Sequence, residues 1–406
     1  LIARNHPLDQ FMVSHPDYFM DQPCEIGRID PDNLLVLADH LKCAAFEMPF
    51  SEGDRFGGRD ISEIMEALAA EGILHHSRGM YHYTSDVFPA SEVNLRMTNP
   101  DNFVILEQLE GDATRTIGEI DYQGAPSLIH PKAIYNHQGE QFYVESLDWE
   151  EQKAVVKKVA VDYYTDAITY DEVTVLDSFD RKVAGDLVWE HGEAHVANRV
   201  VGFKKIRFYT GENLGCGEVV LPQQEMHTTA CWFSPERELL MALNLEWVEI
   251  MEALSGLAEL MRDLAAVFLL CDRHDLGSAL GDRNGRWYYK PRLSGGMSVE
   301  AMGAMHESID RSEEFIPTVF LYDNHPGGVG FSHRLFEVGS DLLEVALAHL
   351  AQCSCTRGCP SCVGPSVEGR PGSKRAARTM LLSMLRTMSD AGDTAAIETV
   401  IEGCAV

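Results

Sequence analysis

Four of the ten cysteines in this 406-residue sequence lie within one stretch of ten residues. They are Cys353, Cys355, Cys359 and Cys362. Four thiolates on one short segment can close a tetrahedral shell around Zn²⁺, and Gly358 and Pro360 supply tight turns that bring the sulfur atoms inward. Because a closed shell of four cysteines leaves no open coordination position, we expect the zinc site to be structural and not catalytic.

Two other metal groups could use the same cysteines. Four cysteines can hold an iron–sulfur cluster. The spacing Cys355-x₃-Cys359-x₂-Cys362 also matches the cluster motif of radical S-adenosylmethionine enzymes, although that class carries it early in a β/α barrel. Here it stands between two predicted helices near the C-terminal end, so zinc is favoured. Four reduced cysteines without a metal are the remaining alternative.

A cluster of basic residues follows the cysteines, with no acidic residue between its members. The cluster consists of Arg370, Lys374, Arg375 and Arg378. Lys374 and Arg378 are four residues apart and therefore share one face of a predicted helix. We interpret the cluster as a DNA-binding surface that contacts phosphates, and the alternative is the solvated start of a helix.

A second basic stretch is interleaved with aromatic residues. Its members are Phe203, Lys204, Lys205, Arg207, Phe208 and Tyr209. For this stretch we favour a strand with a solvated edge over a nucleic-acid contact.

The formal net charge of −30 argues against nucleic acid as a partner, because a binding protein must neutralise phosphates. Net charge is a sum over the whole molecule, however, and a groove needs only local positive potential.

The six other cysteines are scattered, which indicates buried thiols in a reducing compartment and no disulfide framework. No signal peptide opens the sequence and no apolar run is long enough to cross a bilayer, so we expect a cytoplasmic protein without a membrane partner.

Motifs for nucleotide hydrolysis are absent from the sequence. It contains no Gly-x-x-x-x-Gly-Lys-Ser/Thr loop and no Asp-Glu-Ala-His box beside a buried strand. The run from Pro326 to Gly330 follows a buried apolar stretch and could form an anion-binding nest, but a tight strand-to-helix turn is favoured. We therefore expect no ATP hydrolysis by this chain.

The order of predicted elements indicates an α+β multidomain protein. Residues 30–97 predict a winged helix, with Asp30 as N-cap and Pro31 at the first helical position. A second helix is expected from Asp60, with a capping box to Glu63, and a β-hairpin after it. Residues 98–210 predict a small OB-like β-barrel, whose last strands include 171–177. Residues 211–406 predict a mixed α/β zinc-binding domain, with a long helix near 245–270 and helices near 341–352 and 373–388.

Several segments together resemble one protein family. They run from Pro7 to Phe19, from Ala133 to Glu145, from Val161 to Thr165 and from Tyr322 to Ser332, and the four-cysteine segment joins them. The combination resembles the C-terminal half of bacterial DEAD/DEAH-box superfamily 2 DNA helicases related to mitomycin repair factor A, the YprA-like family.

The resemblance implies a function in DNA repair. Two RecA-like motor domains, which bind ATP and Mg²⁺, would precede the winged helix, the barrel and the zinc-binding domain, and such a protein would unwind duplexes in the 3′-to-5′ direction. Residues 1–29 would then lead from a motor domain that this sequence lacks. Only the four cysteines carry over as matched functional residues. The missing motor and the acidic balance depart from the family.

Three hypotheses follow for the function. In the first, the chain is an accessory module that guides single-stranded DNA away from the motor domains. In the second, it is a zinc-clipped scaffold that binds a protein partner and has no nucleic-acid role. In the third, it is a metal-cluster enzyme, which would make the purified protein coloured.

Overall fold

The computed structural model describes residues 2–23, 26–93, 102–110, 113–285, 315–364 and 373–390. The chain begins with two short helices, α1 (Pro7–Ser14) and α2 (Pro16–Asp21). Phe11 of α1 is buried in the largest hydrophobic core, and the hydroxyl of Tyr18 donates to the carbonyl of Val267 at 2.8 Å. This N-terminal segment is thus packed against the zinc-binding part of the chain.

The winged helix predicted for the next segment is present. Its helices are α3 (Leu34–Glu47) and α4 (Ser62–Ala70). Its strands are β1 (Phe50–Ser51), β2 (Arg55–Phe56), β3 (Arg59–Asp60), β4 (Leu74–Ser77) and β5 (Met80–Tyr83). Leu41, Met65 and Leu74 are fully buried between the two helices and the hairpin. The α4 helix gives way to the hairpin at Gly72, whose φ of +74° favours glycine.

Both helix starts differ from the prediction. Asn33, and not Asp30, caps α3, because its side-chain oxygen accepts the N–H of Leu35 at 2.9 Å. The α4 helix begins at Ser62 without a capping box. The Asp60 carboxylate instead accepts the backbone N–H of Ser62 at 2.9 Å, which leaves Asp60 in β3.

Asn33 also ties the winged helix to the zinc-binding domain. It is 5% exposed, and its amide nitrogen donates to the carbonyls of Pro326 and Gly328 at 3.0 and 2.8 Å. One side chain therefore caps a helix with its oxygen and holds a distant loop with its nitrogen. Because the oxygen and the nitrogen of one amide make these two contacts, the start of α3 is held directly against that loop.

A five-stranded barrel-like sheet follows. Its strands are β6 (Asn102–Gln108), β7 (Thr114–Asp121), β8 (Ile134–His137), β9 (Glu140–Asp148) and β10 (Lys153–Val159). The order is β7-β6-β10-β9-β8, with β6 and β10 parallel and the other pairs antiparallel. A short helix, α5 (Ala125–Leu128), packs beside it, and Phe103, Phe142 and Val156 lie at the centre of its core. The predicted mixed α+β class with a small barrel is confirmed.

The next strands form a long hairpin, β11 (Tyr163–Ala184) and β12 (Leu187–Arg207). The predicted strand 171–177 lies within β11, and not in the barrel, because β11 pairs with β12 and β12 pairs with β14. The hairpin still contacts the barrel-like sheet, since the Thr165 hydroxyl accepts the N–H of Ile134 at 2.9 Å. The limit at residue 210 between the barrel and the zinc-binding domain stays a prediction.

The sheet of the zinc-binding domain is antiparallel, in the order β11-β12-β14-β16-β15, with β13 added to β12. The remaining strands are β13 (Asn213–Glu218), β14 (Gln224–Pro235), β15 (Leu276–Asp282) and β16 (Pro317–Asp323). The helices are α6 (Arg237–Ala242), α7 (Trp247–Leu269), α8 (Phe331–Glu337), α9 (Gly339–Gln352) and α10 (Ser373–Asp390). Short 3₁₀ helices cover Pro89–Ser91 and Arg273–Asp275.

The α7 helix is the centre of the main core. It starts with a reciprocal capping box between Glu246 and Glu249, and most of its residues are buried. It packs on α9, α10, β15 and β16, so it joins the sheet to the helices that flank the cysteines. Of the helices in the described ranges, none combines the length and apolarity needed to cross a membrane.

Gly256 of α7 allows this helix to approach the cysteine segment closely. A Cβ atom at this position would lie 2.6 Å from the carbonyl oxygen and 2.7 Å from the Cβ of Val363. Replacing a helical glycine by alanine ordinarily stabilises by about 0.5–1 kcal/mol. Here we expect Gly256→Ala to destabilise by about 1–3 kcal/mol, because the backbone must shift.

Thermal unfolding of Gly256→Ala and of Gly27→Ala measures this effect. Gly27 is the matched control, because a Cβ there meets no atom within 4 Å. A melting temperature of Gly256→Ala equal to or above that of the parent chain would contradict the close approach of α7.

Candidate metal centre and nucleic-acid interface

The four predicted cysteines lie together on the segment between α9 and α10. Cys353 caps the end of α9, where its N–H donates to the carbonyl of His349 at 3.2 Å. Four pairs of sulfur atoms are 3.5–3.7 Å apart, and all four sulfur atoms lie within 4.8 Å of one another. Within the described residues, this is the one group of three or more His, Cys, Asp or Glu side chains with such spacing.

The sulfur arrangement fits a tetrahedral zinc shell. A Zn–S distance of about 2.3 Å requires sulfur atoms about 3.8 Å apart at the corners of a tetrahedron. Burial raises the pKa of Cys353 and of Cys362, because a thiolate is poorly solvated there. A dication between the sulfur atoms supplies the positive charge that lets the thiols ionise.

Backbone turns bring the sulfur atoms inward. Gly358 has φ +127°, and a Cβ there would lie 2.6 Å from the carbonyl oxygen of Gly364, so the position requires glycine. The N–H groups of Cys362 and Gly364 both donate to the carbonyl of Cys359, at 3.0 and 3.1 Å. The N–H of Cys359 lies 3.4 Å from the sulfur of Cys362, which is the backbone N–H···S bond expected beside a thiolate.

The neighbouring helices hold this turn from both sides. His349 of α9 is buried, which lowers its pKa, so the ring is neutral and its Nε2–H donates to the carbonyl of Ser361 at 2.7 Å. Lys374 of α10 donates through Nζ to the carbonyls of Cys353 and Cys355, at 2.5 and 2.7 Å. The backbone N–H of Lys374 also donates to the carbonyl of Arg357 at 3.2 Å.

The predicted basic cluster is thus divided by the structure. Arg370 lies outside the described residues. Lys374 is half-buried and faces the cysteine segment, whereas Arg375 is exposed and Arg378 is half-buried. Sequence spacing could not reveal the partners of Lys374, because they are backbone carbonyls 19 and 21 residues away.

The second basic and aromatic stretch lies at the end of β12 and in the turn after it. Phe203 is buried against the ring of His130, whose centroid is 4.9 Å away. The Nζ of Lys205 lies 5.4 Å from the centroid of the Tyr163 ring. Tyr209, in contrast, is fully exposed.

A buried acidic side chain closes the turn after β16. The carboxylate of Asp323 is fully buried and accepts the N–H groups of Val329, Phe331 and Ser332, at 2.8, 3.1 and 2.8 Å. These N–H groups are therefore satisfied within the chain. The favoured interpretation of this run as a strand-to-helix turn agrees with these contacts.

The second helix of the winged helix lacks positive charge. The nine residues of α4 include Glu63 and Glu66 and contain no lysine or arginine. Lysine and arginine are among the main donors to phosphates when a helix enters a DNA groove. The charge of α4 thus gives no support to a phosphate contact by this helix.

Two family models match the chain. The model described as "MrfA Zn-binding domain" matches residues 257–363, a range that contains all four cysteines and most of α7. The model described as "ATP-dependent helicase HRQ1, winged helix domain" matches residues 29–98. Zinc is thus the metal that the matched family binds, and the iron–sulfur alternative finds no support.

Two curated relatives align with nearly the whole chain. The "Uncharacterized ATP-dependent helicase YprA" of Bacillus subtilis is 36% identical over 391 residues, which are 96% of this chain and 47% of the relative. The "ATP-dependent helicase HRQ1" of Saccharomyces cerevisiae is 22% identical over 379 residues, 90% of this chain and 33% of the relative. The chain therefore spans about half the length of the first relative and about a third of the second.

Solved structures of an MrfA helicase are similar as well. The crystal structure of the DUF1998 helicase MrfA bound to DNA matches with a TM-score of 0.53 and 35% identity, over 93% of this chain and 46% of that one. The crystal structure of the DUF1998 helicase MrfA matches with a TM-score of 0.57 and 30% identity, over 92% and 48%. The resemblance drawn from the sequence segments is confirmed: the family models, the curated relatives and the solved structures support a C-terminal region of an MrfA-like helicase, with a winged helix and a zinc-binding domain.

Proposed function

We propose that this chain is the DNA-handling and zinc-binding region of an ATP-dependent 3′-to-5′ DNA helicase that acts in DNA repair. The observation that carries the proposal is the 35% identity, over 93% of the chain, to an MrfA helicase whose structure was solved bound to DNA. In this role the chain guides the single-stranded DNA along which the motor domains translocate. Motor domains, with their ATP and Mg²⁺, are thus its functional partners.

We further propose that Cys353, Cys355, Cys359 and Cys362 are the zinc ligands. The sulfur spacing of 3.5–3.7 Å supports this assignment. The zinc supplies a covalent-like crosslink between the end of α9 and the turn that leads to α10. Since the shell is closed by four thiolates, the site stabilises structure and does not activate water.

Loss of one ligand tests the assignment. We expect the parent chain to contain one zinc per chain by elemental analysis, and Cys353→Ser to lose the metal and to unfold at a lower temperature. Cys216→Ser is the control, because Cys216 is exposed and belongs to β13. Iron in the purified protein, or full stability of a metal-free chain, would contradict the zinc assignment.

Lys374 is a positioning residue for this site. Its ammonium group holds two carbonyls of the cysteine turn and adds positive charge beside a shell with a net negative charge. Loss of an outer contact around a metal typically lowers affinity 10- to 100-fold. We therefore expect Lys374→Met to release zinc to a chromogenic chelator about tenfold faster than the parent chain.

The control for this measurement is Arg375→Met. It removes the same charge from the next residue of α10, but Arg375 is exposed and has no bond to the cysteine turn among the described contacts. Equal release rates for both variants would mean that only net charge matters and that the Lys374 contacts do not hold the turn.

We propose that the DNA path crosses the start of α10. The proposed contacts are the members of the basic cluster, Arg370, Lys374, Arg375 and Arg378. Arg375 is the most accessible of the three that are described, whereas the ammonium of Lys374 is held by backbone carbonyls. The double reversal Arg375→Glu with Arg378→Glu therefore tests the path without removing the Lys374 contacts.

A salt series with a short single-stranded oligonucleotide gives the measurement. Each lost phosphate contact lowers the salt slope of binding by about one. The control is Lys153→Glu with Arg334→Glu, which changes the net charge equally at one exposed and one half-buried site on other elements, as Arg375 and Arg378 do on α10. Equal losses of affinity in both double variants would mean that the change in net charge causes the effect. The DNA path would then not cross α10.

The second candidate function is a zinc-clipped protein-interaction scaffold. The acidic α4 favours it, and so does an exposed apolar group on the winged helix formed by Phe46 and Phe88, whose ring centroids are 5.5 Å apart. The absence of any salt-dependent binding of single-stranded DNA by the parent chain would favour this function over the first.

A further inference from the structure

An open cavity of about 590 Å³ lies where the long hairpin meets the barrel-like sheet. Its lining includes Asn136 and Gln141 from β8 and β9, and Arg207, Phe208 and Tyr209 from the end of β12 and the turn after it. Aromatic faces, two carboxamides and a guanidinium thus share one opening. The metal centre and the basic cluster on α10 use none of these residues.

Packing within the fold does not account for the exposed side chain and the left-handed backbone of Tyr209. Its side chain is fully exposed, and its backbone has φ +64°, a left-handed conformation that is unfavourable for a large side chain. The turn is held around it, since Thr210 N–H donates to the carbonyl of Phe208 at 2.7 Å and Gly211 N–H donates to that of Arg207 at 3.1 Å. The phenol ring is therefore presented to solvent by an ordered backbone.

A row of aromatic rings continues from Tyr209 along the hairpin. The ring centroid of Phe208 is 6.3 Å from that of Tyr209 and 5.6 Å from that of Tyr164. Tyr164 is also at the surface. Exposed aromatic rings in sequence are the surfaces on which the bases of single strands stack.

The polar groups of the cavity suit an uncharged ligand. Arg207 forms ion pairs with Glu212 at 2.5 Å and with Asp162 at 3.5 Å, so its charge is balanced and its guanidinium plane is held in place. The side-chain oxygen of Gln141 accepts the N–H of Val161 at 3.0 Å, which orients the amide. A phosphate would meet the Asp162 carboxylate in the lining, whereas the edge of a base would meet donors and acceptors.

A positively charged side chain lies nearby on the strand that carries Arg207, β12. Lys205 is two residues before Arg207 on β12, so both side chains point to the same face about 7 Å apart. This distance is comparable to the spacing of neighbouring nucleotides in an extended strand. A phosphate beside the bound base can therefore reach Lys205 without entering the acidic part of the cavity.

We propose that this cavity, the Tyr209 platform, binds a base of single-stranded DNA, which stacks on Tyr209 and presents its edge to the carboxamides of Asn136 and Gln141. The proposal rests on the proposed function, because it places a base-stacking step on the DNA path. Lys205 contacts the adjoining phosphate. The platform accepts any base, because every base has a stacking face.

Binding of a short fluorescent oligothymidylate and of an abasic oligonucleotide of the same length tests the platform. Base stacking on one aromatic side chain contributes about five- to a hundred-fold in affinity. We expect Tyr209→Ala to weaken oligothymidylate binding about tenfold, with no change for the abasic strand and no change in the salt slope. Tyr209→Phe should retain the affinity, because it keeps the ring.

The matched control is Phe179→Ala, which removes another exposed aromatic ring from the same hairpin, on β11. Melting temperatures of all variants report folding, and the full exposure of Tyr209 predicts no change. If Tyr209→Ala leaves oligothymidylate binding unchanged, or weakens the abasic strand equally, the platform is wrong and the proposed function stands. If the parent chain binds neither strand, the proposed function fails and the platform fails with it.

Discussion

Four sulfur atoms held 3.5–3.7 Å apart are the constraint on which the C-terminal part of this structure depends. Thiolates at that separation repel one another, and neutral thiols give little cohesion, so a dication bound between the sulfur atoms would stabilise the arrangement. The surrounding backbone is shaped to permit it. Gly358 removes a side chain from the turn, Gly256 lets α7 touch Val363, and Lys374 holds two carbonyls of the ligand segment.

The position of the winged helix follows from a small number of buried polar contacts. The carboxylate of Asp323 closes the turn from β16 to α8 by accepting three N–H groups. Asn33 then binds the outer carbonyls of that turn and caps the first helix of the winged helix. Buried polar groups without partners are destabilising, so this chain of contacts specifies one arrangement in a way that apolar packing alone would not.

The acidic character of the chain limits how it can use DNA. With a net charge of −30 and a winged-helix α4 that carries two glutamates and no basic residue, broad phosphate binding is disfavoured. The proposed contacts accommodate this limit in two ways. The α10 cluster concentrates positive charge beside the zinc site, and the Tyr209 platform uses stacking, which does not depend on a positive surface. An acidic remainder also discourages non-specific attachment along the duplex.

The sequence by itself predicted zinc and the family resemblance, because both depend on local patterns. The cysteine spacing and the strand and helix periodicities are properties of neighbouring residues, so the winged helix, the long helix and the helix that follows the cysteines were predicted with small errors at their ends. The four zinc ligands stay a prediction, which the sulfur spacing supports. Only the tertiary structure decided which distant residues each segment contacts. The strand 171–177 alternates as any strand does, and its place in the hairpin depends on pairing with β12. Lys374 and Arg375 are adjacent and equally basic in sequence, yet one bonds the zinc turn and the other faces solvent. Asn33 and Tyr209 acquire their roles through a loop almost 300 residues away and through the junction of two sheets. Contacts between distant segments depend on how the chain closes on itself, and no local pattern of residue types encodes that closure.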